Sequence, residues 1–247
     1  MRQPIIDRLN AINHTFYQAC AADFDATRAG AWPGWARLLP LLPTPADCPF
    51  AVLDAGCGNG RLGVYLAHHL NAPLHYHGVD FSANLLQAAR AALDVLPNVQ
   101  VTLETRDLTA QPLDAGAYDR VAAVGVLQHI PGGENRAQFV RTLADRVRPG
   151  GVLVWTEWRF AEFPRFQRHI IAPPPDLIEH LEPGDHLLDW GGSEGAAPDV
   201  ARRYCHYIDD AESERLIAAT RLTLEVLYRA DGHTRTTNRY VVLRRQS

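Results

Sequence analysis

The sequence predicts an α/β fold, a mostly parallel sheet with helices on both faces. Three observations predict it. A short apolar strand runs straight into a glycine-rich turn and a helix at Val52-Leu53-Asp54-Ala55-Gly56-Cys57-Gly58-Asn59-Gly60-Arg61. From Phe50 to Trp158 short apolar runs alternate with helical runs, and that alternation implies right-handed crossovers. The chain then ends on two strand-like runs with the turn signal Asp231-Gly232 between them.

The elements follow in order. Pro4 to Leu42 reads as helical, with Ile5, Leu9, Ile12 and Phe16 at spacings of three and four. Pro40, Pro43, Pro45 and Pro49 break that pattern into a linker. Phe50 to Asp54 is a first strand, Arg61 to Leu70 a helix, and Leu74 to Asp80 a second strand. Ser82 is placed to cap a helix carrying Leu85, Leu86, Ala89 and Leu93. Val99 to Glu104 is a third strand and Asp119 to Val126 a fourth. Phe139, Leu143 and Val147 form a helical face, stopped by a turn at Pro149-Gly150-Gly151, and Val152 to Trp158 is a fifth strand. Arg159 to Cys205 reads as a long irregular insertion with one helix near Asp176 to His180. A helix around Glu212 to Ala219 and strands Leu222 to Tyr228 and Arg239 to Leu243 close the chain.

Composition narrows the chemistry. With 247 residues the chain can bury a full core as one domain. No apolar run reaches membrane-spanning length and MRQPIIDRLN has no signal core, so a cytoplasmic protein without a membrane partner is expected. Four cysteines, Cys20, Cys48, Cys57 and Cys205, are too scattered for a disulfide framework or a zinc knuckle. His75 and His77 alternate along one strand, yet no metal site is expected there or elsewhere. The net charge of −4 makes the whole molecule no electrostatic trap for nucleic acid. Every Lys/Arg position is arginine, which excludes lysine Schiff-base chemistry and a P-loop lysine.

Ligands of an open α/β sheet sit beyond the carboxyl ends of its strands. Three acids occupy those ends: Asp54, Asp80 in Gly78-Val79-Asp80-Phe81-Ser82, and Asp107 in Thr105-Arg106-Asp107-Leu108. A carboxylate such as Asp80 can accept both hydroxyls of a ribose, and Asp107 can accept an adenine amino group. The glycine turn lets backbone approach a ligand without a Cβ clash, and Asp54 is placed to orient that turn. The spacing is D-x-G-x-G-x-G, with Arg61 where a dinucleotide fingerprint would carry its third glycine.

This stretch resembles motif I of the class I S-adenosylmethionine-dependent methyltransferases. Gly125-Val126-Leu127-Gln128-His129-Ile130-Pro131 resembles their motif IV, beside the transferable methyl. The resemblance implies a Rossmann-like seven-stranded sheet in order 3-2-1-4-5-7-6, its last strand antiparallel. It implies S-adenosylmethionine as cofactor, held by Asp54, Gly56, Gly58, Gly60, Asp80, Phe81, Asp107, Leu108, Val124 and Arg28. The single domain, 1–247, then divides into a helical cap and linker (1–49), a cofactor-binding core (50–158), a substrate-side insertion (159–205) and a C-terminal helix and hairpin (206–247).

Other segments are similar to the wobble-uridine tRNA methyltransferases that esterify a carboxymethyl group. These are Phe24-Asp25-Ala26-Thr27-Arg28-Ala29-Gly30-Ala31-Trp32-Pro33, Gly184 to Trp190, Arg203-Tyr204-Cys205-His206-Tyr207 and Thr237 to Leu243. Asp189 and Cys205 depart from that pattern, where the family has proline and tyrosine. The resemblance implies a tRNA substrate and, since relatives can depend on one, a small helper protein. A small-metabolite acceptor is the competing expectation, favoured by the acidic balance. Arg28 is placed to clamp a carboxylate, and Trp32, Trp158 and Trp190 to wall a flat substrate. Arg159, Arg165, Arg168, Arg202 and Arg203 are candidates to face phosphates. Arg28 and His129 are the catalytic candidates, His129 with a structural hydrogen bond as the competing role.

Overall fold

The computed structural model describes residues 1–26, 30–42, 49–111, 113, 116–190 and 202–247. A long helix α1 (Gln3–Ala26) precedes strand β1 (Phe50–Ala55), helix α2 (Arg61–His69), β2 (Leu74–Asp80), α3 (Ala83–Leu93), β3 (Val99–Thr105) and β4 (Tyr118–Ala123). Helix α4 (Gly133–Asp145) leads to β5 (Val147–Trp158). One-turn helices α5 (Pro164–Gln167) and α6 (Pro175–Ile178) then interleave with strands β6 (Ile170–Ile171), β7 (Asp185–Asp189) and β8 (Arg202–His206). Helix α7 (Asp210–Thr220) and strands β9 (Thr223–Ala230) and β10 (Asn238–Arg244) complete the chain.

The main sheet has seven strands in order β3-β2-β1-β4-β5-β10-β9. Its first five strands are mutually parallel, and β10 runs antiparallel to both β5 and β9. This is the expected order, with β10 and β9 in the last two places. Strand alternation sends side chains to two cores. Along β10, Tyr240 and Val242 join Leu62, Leu66, Ala89 and Trp35 on one face. Val241 and Leu243 join Phe139, Val140, Leu143 and Leu216 on the other.

Three local expectations are corrected. The segment from Arg159 to Cys205 is not irregular throughout: β6, β7 and β8 form a second, antiparallel sheet. Strand β5 starts at Val147 and absorbs Pro149-Gly150-Gly151 as an irregularity in its pairing with β4. Gly150 takes φ +75° there, a conformation glycine adopts without a Cβ penalty. The helix expected through Leu42 is α1 followed by two 3-10 turns, Pro33–Arg37 and Leu39–Leu41, each with a proline in its first positions. Among the described residues, no helix is long and apolar enough to cross a membrane.

Helix α1 ties the two sheets together. Its Leu9 packs with Leu177, Leu187 and Tyr204. Asn13, 4% exposed, accepts from the Tyr204 backbone N–H at 2.8 Å and donates to the His129 carbonyl at 3.3 Å. The helix is therefore fixed across the carboxyl ends of the strands, where it roofs a cavity.

Candidate active site

That cavity measures about 770 Å³ and is lined by Asp54, Gly56, Gly58, Asp80, Phe81, Asp107, Leu108 and Val124. It continues without a break to Trp158, Arg165, Arg168, Trp190 and Arg203.

The glycine turn is built by backbone geometry. Gly56 lies at φ +76° and Gly58 at φ +54°, where side chains are strained. A Cβ on Gly56 would run into the Val126 side chain, whereas one on Gly58 would meet nothing within 4 Å. Gly58 thus leaves open space for a ligand. Gly60 caps α2 at φ +75°, packed against Ala89 and Leu93.

Asp80, not Asp54, orients the turn. Its Oδ2 accepts from the Gly58 N–H at 2.8 Å and its Oδ1 from the Ser82 N–H at 2.9 Å. It is 8% exposed, and burial raises its pKa. Each oxygen keeps a second lone pair for a diol. Asp54 instead accepts from the Tyr76 hydroxyl at 2.6 Å, and burial pushes its carboxyl up to about 7.

Asp107 is more engaged than expected. Its Oδ1 accepts from the backbone N–H and hydroxyl of Thr109, and its Oδ2 lies 3.1 Å from His14 Nε2. Partial burial pushes its pKa up, but the His14 and Thr109 bonds outweigh that and hold it down at about 2. His14 also lies 4.7 Å from the Phe81 ring, centroid to centroid. The sequence reading missed His14 because only the apolar stripe of α1 was followed.

His129 is tied at both ring nitrogens. Nδ1 donates to the Tyr204 carbonyl at 3.1 Å, and Nε2 lies 2.9 Å from the Tyr17 hydroxyl. The carbonyl fixes a proton on Nδ1. Gln128 donates to the Gly125 carbonyl at 2.8 Å, and its buried Oε1 has no partner among the described residues. His77 bonds to Tyr118 and Glu104. Arg159 belongs to the framework, held by Glu162, Asp210 and the Ile208 carbonyl. Arg28 lies outside the described residues.

Sheet order, glycine turn and strand-end acids together resemble those of S-adenosylmethionine-dependent methyltransferase domains. Residues 53–153 match the family model described as "Methyltransferase domain". The chain is 32% identical over 145 residues to the "tRNA (carboxymethyluridine(34)-5-O)-methyltransferase ALKBH8" of Mus musculus, covering 58% of this chain and 19% of the mouse protein. It is 32% identical over 146 residues to the "tRNA (carboxymethyluridine(34)-5-O)-methyltransferase" of Arabidopsis thaliana, covering 59% of this chain and 32% of that one. The chain thus spans a fifth to a third of the length of these relatives. Among solved structures, the N-methyltransferase NodS from Bradyrhizobium japonicum WM9, in complex with S-adenosyl-L-homocysteine, superposes with a TM-score of 0.60. The match covers 95% of this chain and 100% of NodS at 16% identity.

The residues present fit the cofactor. Asp80 offers a preorganised, buried carboxylate, Gly58 opens onto free volume, and Phe81, Leu108 and Val124 supply an apolar lining.

Proposed function

We propose that the chain transfers a methyl group from S-adenosylmethionine to the carboxylate of a carboxymethyl group on a tRNA wobble uridine. One observation carries the reading. A single cavity joins the cofactor floor to an acceptor half lined by tryptophan and arginine, in a chain 32% identical, over 145 and 146 residues, to two relatives named for that reaction.

When bound, S-adenosylmethionine would supply an electrophilic methyl, with neutral S-adenosylhomocysteine as the leaving group. The chain's residues then have three tasks. Asp80 holds the ribose diol and keeps the glycine turn in shape. The tryptophans exclude water and stack the acceptor base. Alignment of oxygen, methyl and sulfur does the rest.

A carboxylate is ionised at neutral pH and needs no general base. His129, engaged at both nitrogens, matches that requirement as a loop-shaping residue. His129→Ala is therefore expected to lower kcat by less than about tenfold, against roughly 10²–10⁴ for loss of a general base. A drop of that larger size with unchanged cofactor affinity would make His129 catalytic.

The test incubates the protein with methyl donor and total tRNA, then weighs the wobble nucleosides after digestion. One added methyl on carboxymethyluridine is expected, with tRNA affinity falling steeply as salt rises. Methylation of a metabolite extract instead, indifferent to salt, would transfer the reading to a small-molecule acceptor.

A further inference from the structure

The acceptor half of the cavity contains a buried charge to which none of the described residues gives a counter-ion. Arg203, on β8, is 5% exposed and lines the cavity. Its guanidinium carbon lies 5.4 Å from the ring centroid of Phe16, 5.0 Å from that of Trp158 and 5.3 Å from that of Trp190. Its Nε is buried without an acceptor, and no ion pair joins it to a carboxylate among the described residues. Two other buried arginines are treated differently. Arg136 is held by Glu182 and Glu212, and Arg159 by Glu162 and Asp210.

A buried cation is costly unless paired. Aromatic faces recover part of that cost, but they do not satisfy the in-plane donors of a guanidinium. What is missing is a small planar anion that fits between tryptophan walls. A backbone phosphate is bulky and strongly hydrated, so it suits an enclosed aromatic slot poorly, whereas a carboxylate matches the planar fork.

We propose that Arg203 is the specificity-determining residue of the acceptor site, receiving the carboxylate of the methyl acceptor. The proposal deepens, and rests on, the carboxymethyl reading above. One carboxylate oxygen pairs with Arg203 while the other takes the methyl. The ester formed is neutral, so the ion pair is lost and product release is favoured.

The probes are uracil-5-acetate and its neutral amide, uracil-5-acetamide, titrated into the protein saturated with S-adenosylhomocysteine. The wild-type chain is expected to prefer the acid by at least about tenfold, the scale of one hydrogen bond to a charged group. Arg203→Gln is expected to erase that preference without changing S-adenosylhomocysteine affinity, and Arg203→Lys to retain part of it. Equal binding of acid and amide by the wild type, or an undiminished preference in Arg203→Gln, overturns the proposal. If Arg203→Gln does not fold, the wild-type comparison decides alone. An Arg203-dependent preference without wobble methylation would sink the tRNA substrate and keep the anion site. Wobble methylation with unchanged KM and kcat in Arg203→Gln would keep the substrate and sink the proposal.

Discussion

Asp80→Asn is expected to weaken S-adenosylhomocysteine binding by more than about a hundredfold, roughly 3 kcal/mol, while leaving the fold intact. The wild-type carboxylate accepts from two backbone N–H groups at once, those of Gly58 and Ser82. An asparagine has a single acceptor oxygen. Its amide group must then point a donor at one of those two N–H groups, so one anchor of the glycine turn is lost. The charge that strengthens a bond to the ribose hydroxyls is lost with it. Calorimetry reads the affinity and a thermal melt reads the fold. An asparagine variant that binds within threefold of wild type would remove Asp80 from the ribose site.

The second large effect is on stability. Arg136, 1% exposed, donates from Nε to Glu212 Oε1 at 2.7 Å. Glu212 Oε2 lies 2.6 Å from His206 Nε2, and His206 Nδ1 lies 2.7 Å from Asp185 Oδ1. The Tyr204 hydroxyl donates to the same Asp185 oxygen at 2.7 Å, and Glu182 meets Arg136 from the other side at 3.2 Å. The network ties α4, α7, β7 and β8 into one unit. Glu212→Gln leaves two cationic groups without their shared carboxylate, which is expected to cost about 3–5 kcal/mol in urea denaturation.

The pH dependence of the same network has a definite sign. Burial works against ionised Glu212, but the His206 and Arg136 bonds prevail and bring its pKa from 4.5 down to about 2. Its contribution is present above pH 4.5 and is lost as pH falls through about 2. Burial also works against charged His206, yet Asp185 and Glu212 raise its pKa above 6.5. That contribution is full below pH 6.5 and fades as pH rises through the folded-state value. The two windows overlap between pH 4.5 and 6.5, where the network is expected to stabilise most. Stability that rises steadily from that window into alkaline pH would contradict the protonated His206.

The main sheet was legible because each strand is a compact apolar run with its turn signal beside it. Asp80 and the glycine turn were legible for the same reason: chemistry and strand end coincide in sequence. The second sheet was not. β6 is two residues long, and β7 and β8 read Asp-His-Leu-Leu-Asp and Arg-Arg-Tyr-Cys-His, without the β-branched alternation that marks a strand. Their pairing is a tertiary effect, fixed by packing on Leu9 of α1. His14 and Tyr17 were overlooked because they interleave with the apolar stripe of α1, although both line the cavity. Arg203 adjoins Arg202 and looks like ordinary surface charge until its burial is known. The turn-orienting role given to Asp54 failed because the reach of a side chain across to the neighbouring strand is not written in spacing along one strand.

The most direct measurement is calorimetric titration of the wild-type chain with S-adenosylmethionine, S-adenosylhomocysteine and a nicotinamide dinucleotide. One-to-one binding of both sulfur nucleosides, with none of the dinucleotide, is the predicted result. Heat with the nicotinamide compound and none with either sulfur nucleoside would contradict the site built on Gly56, Gly58 and Asp80.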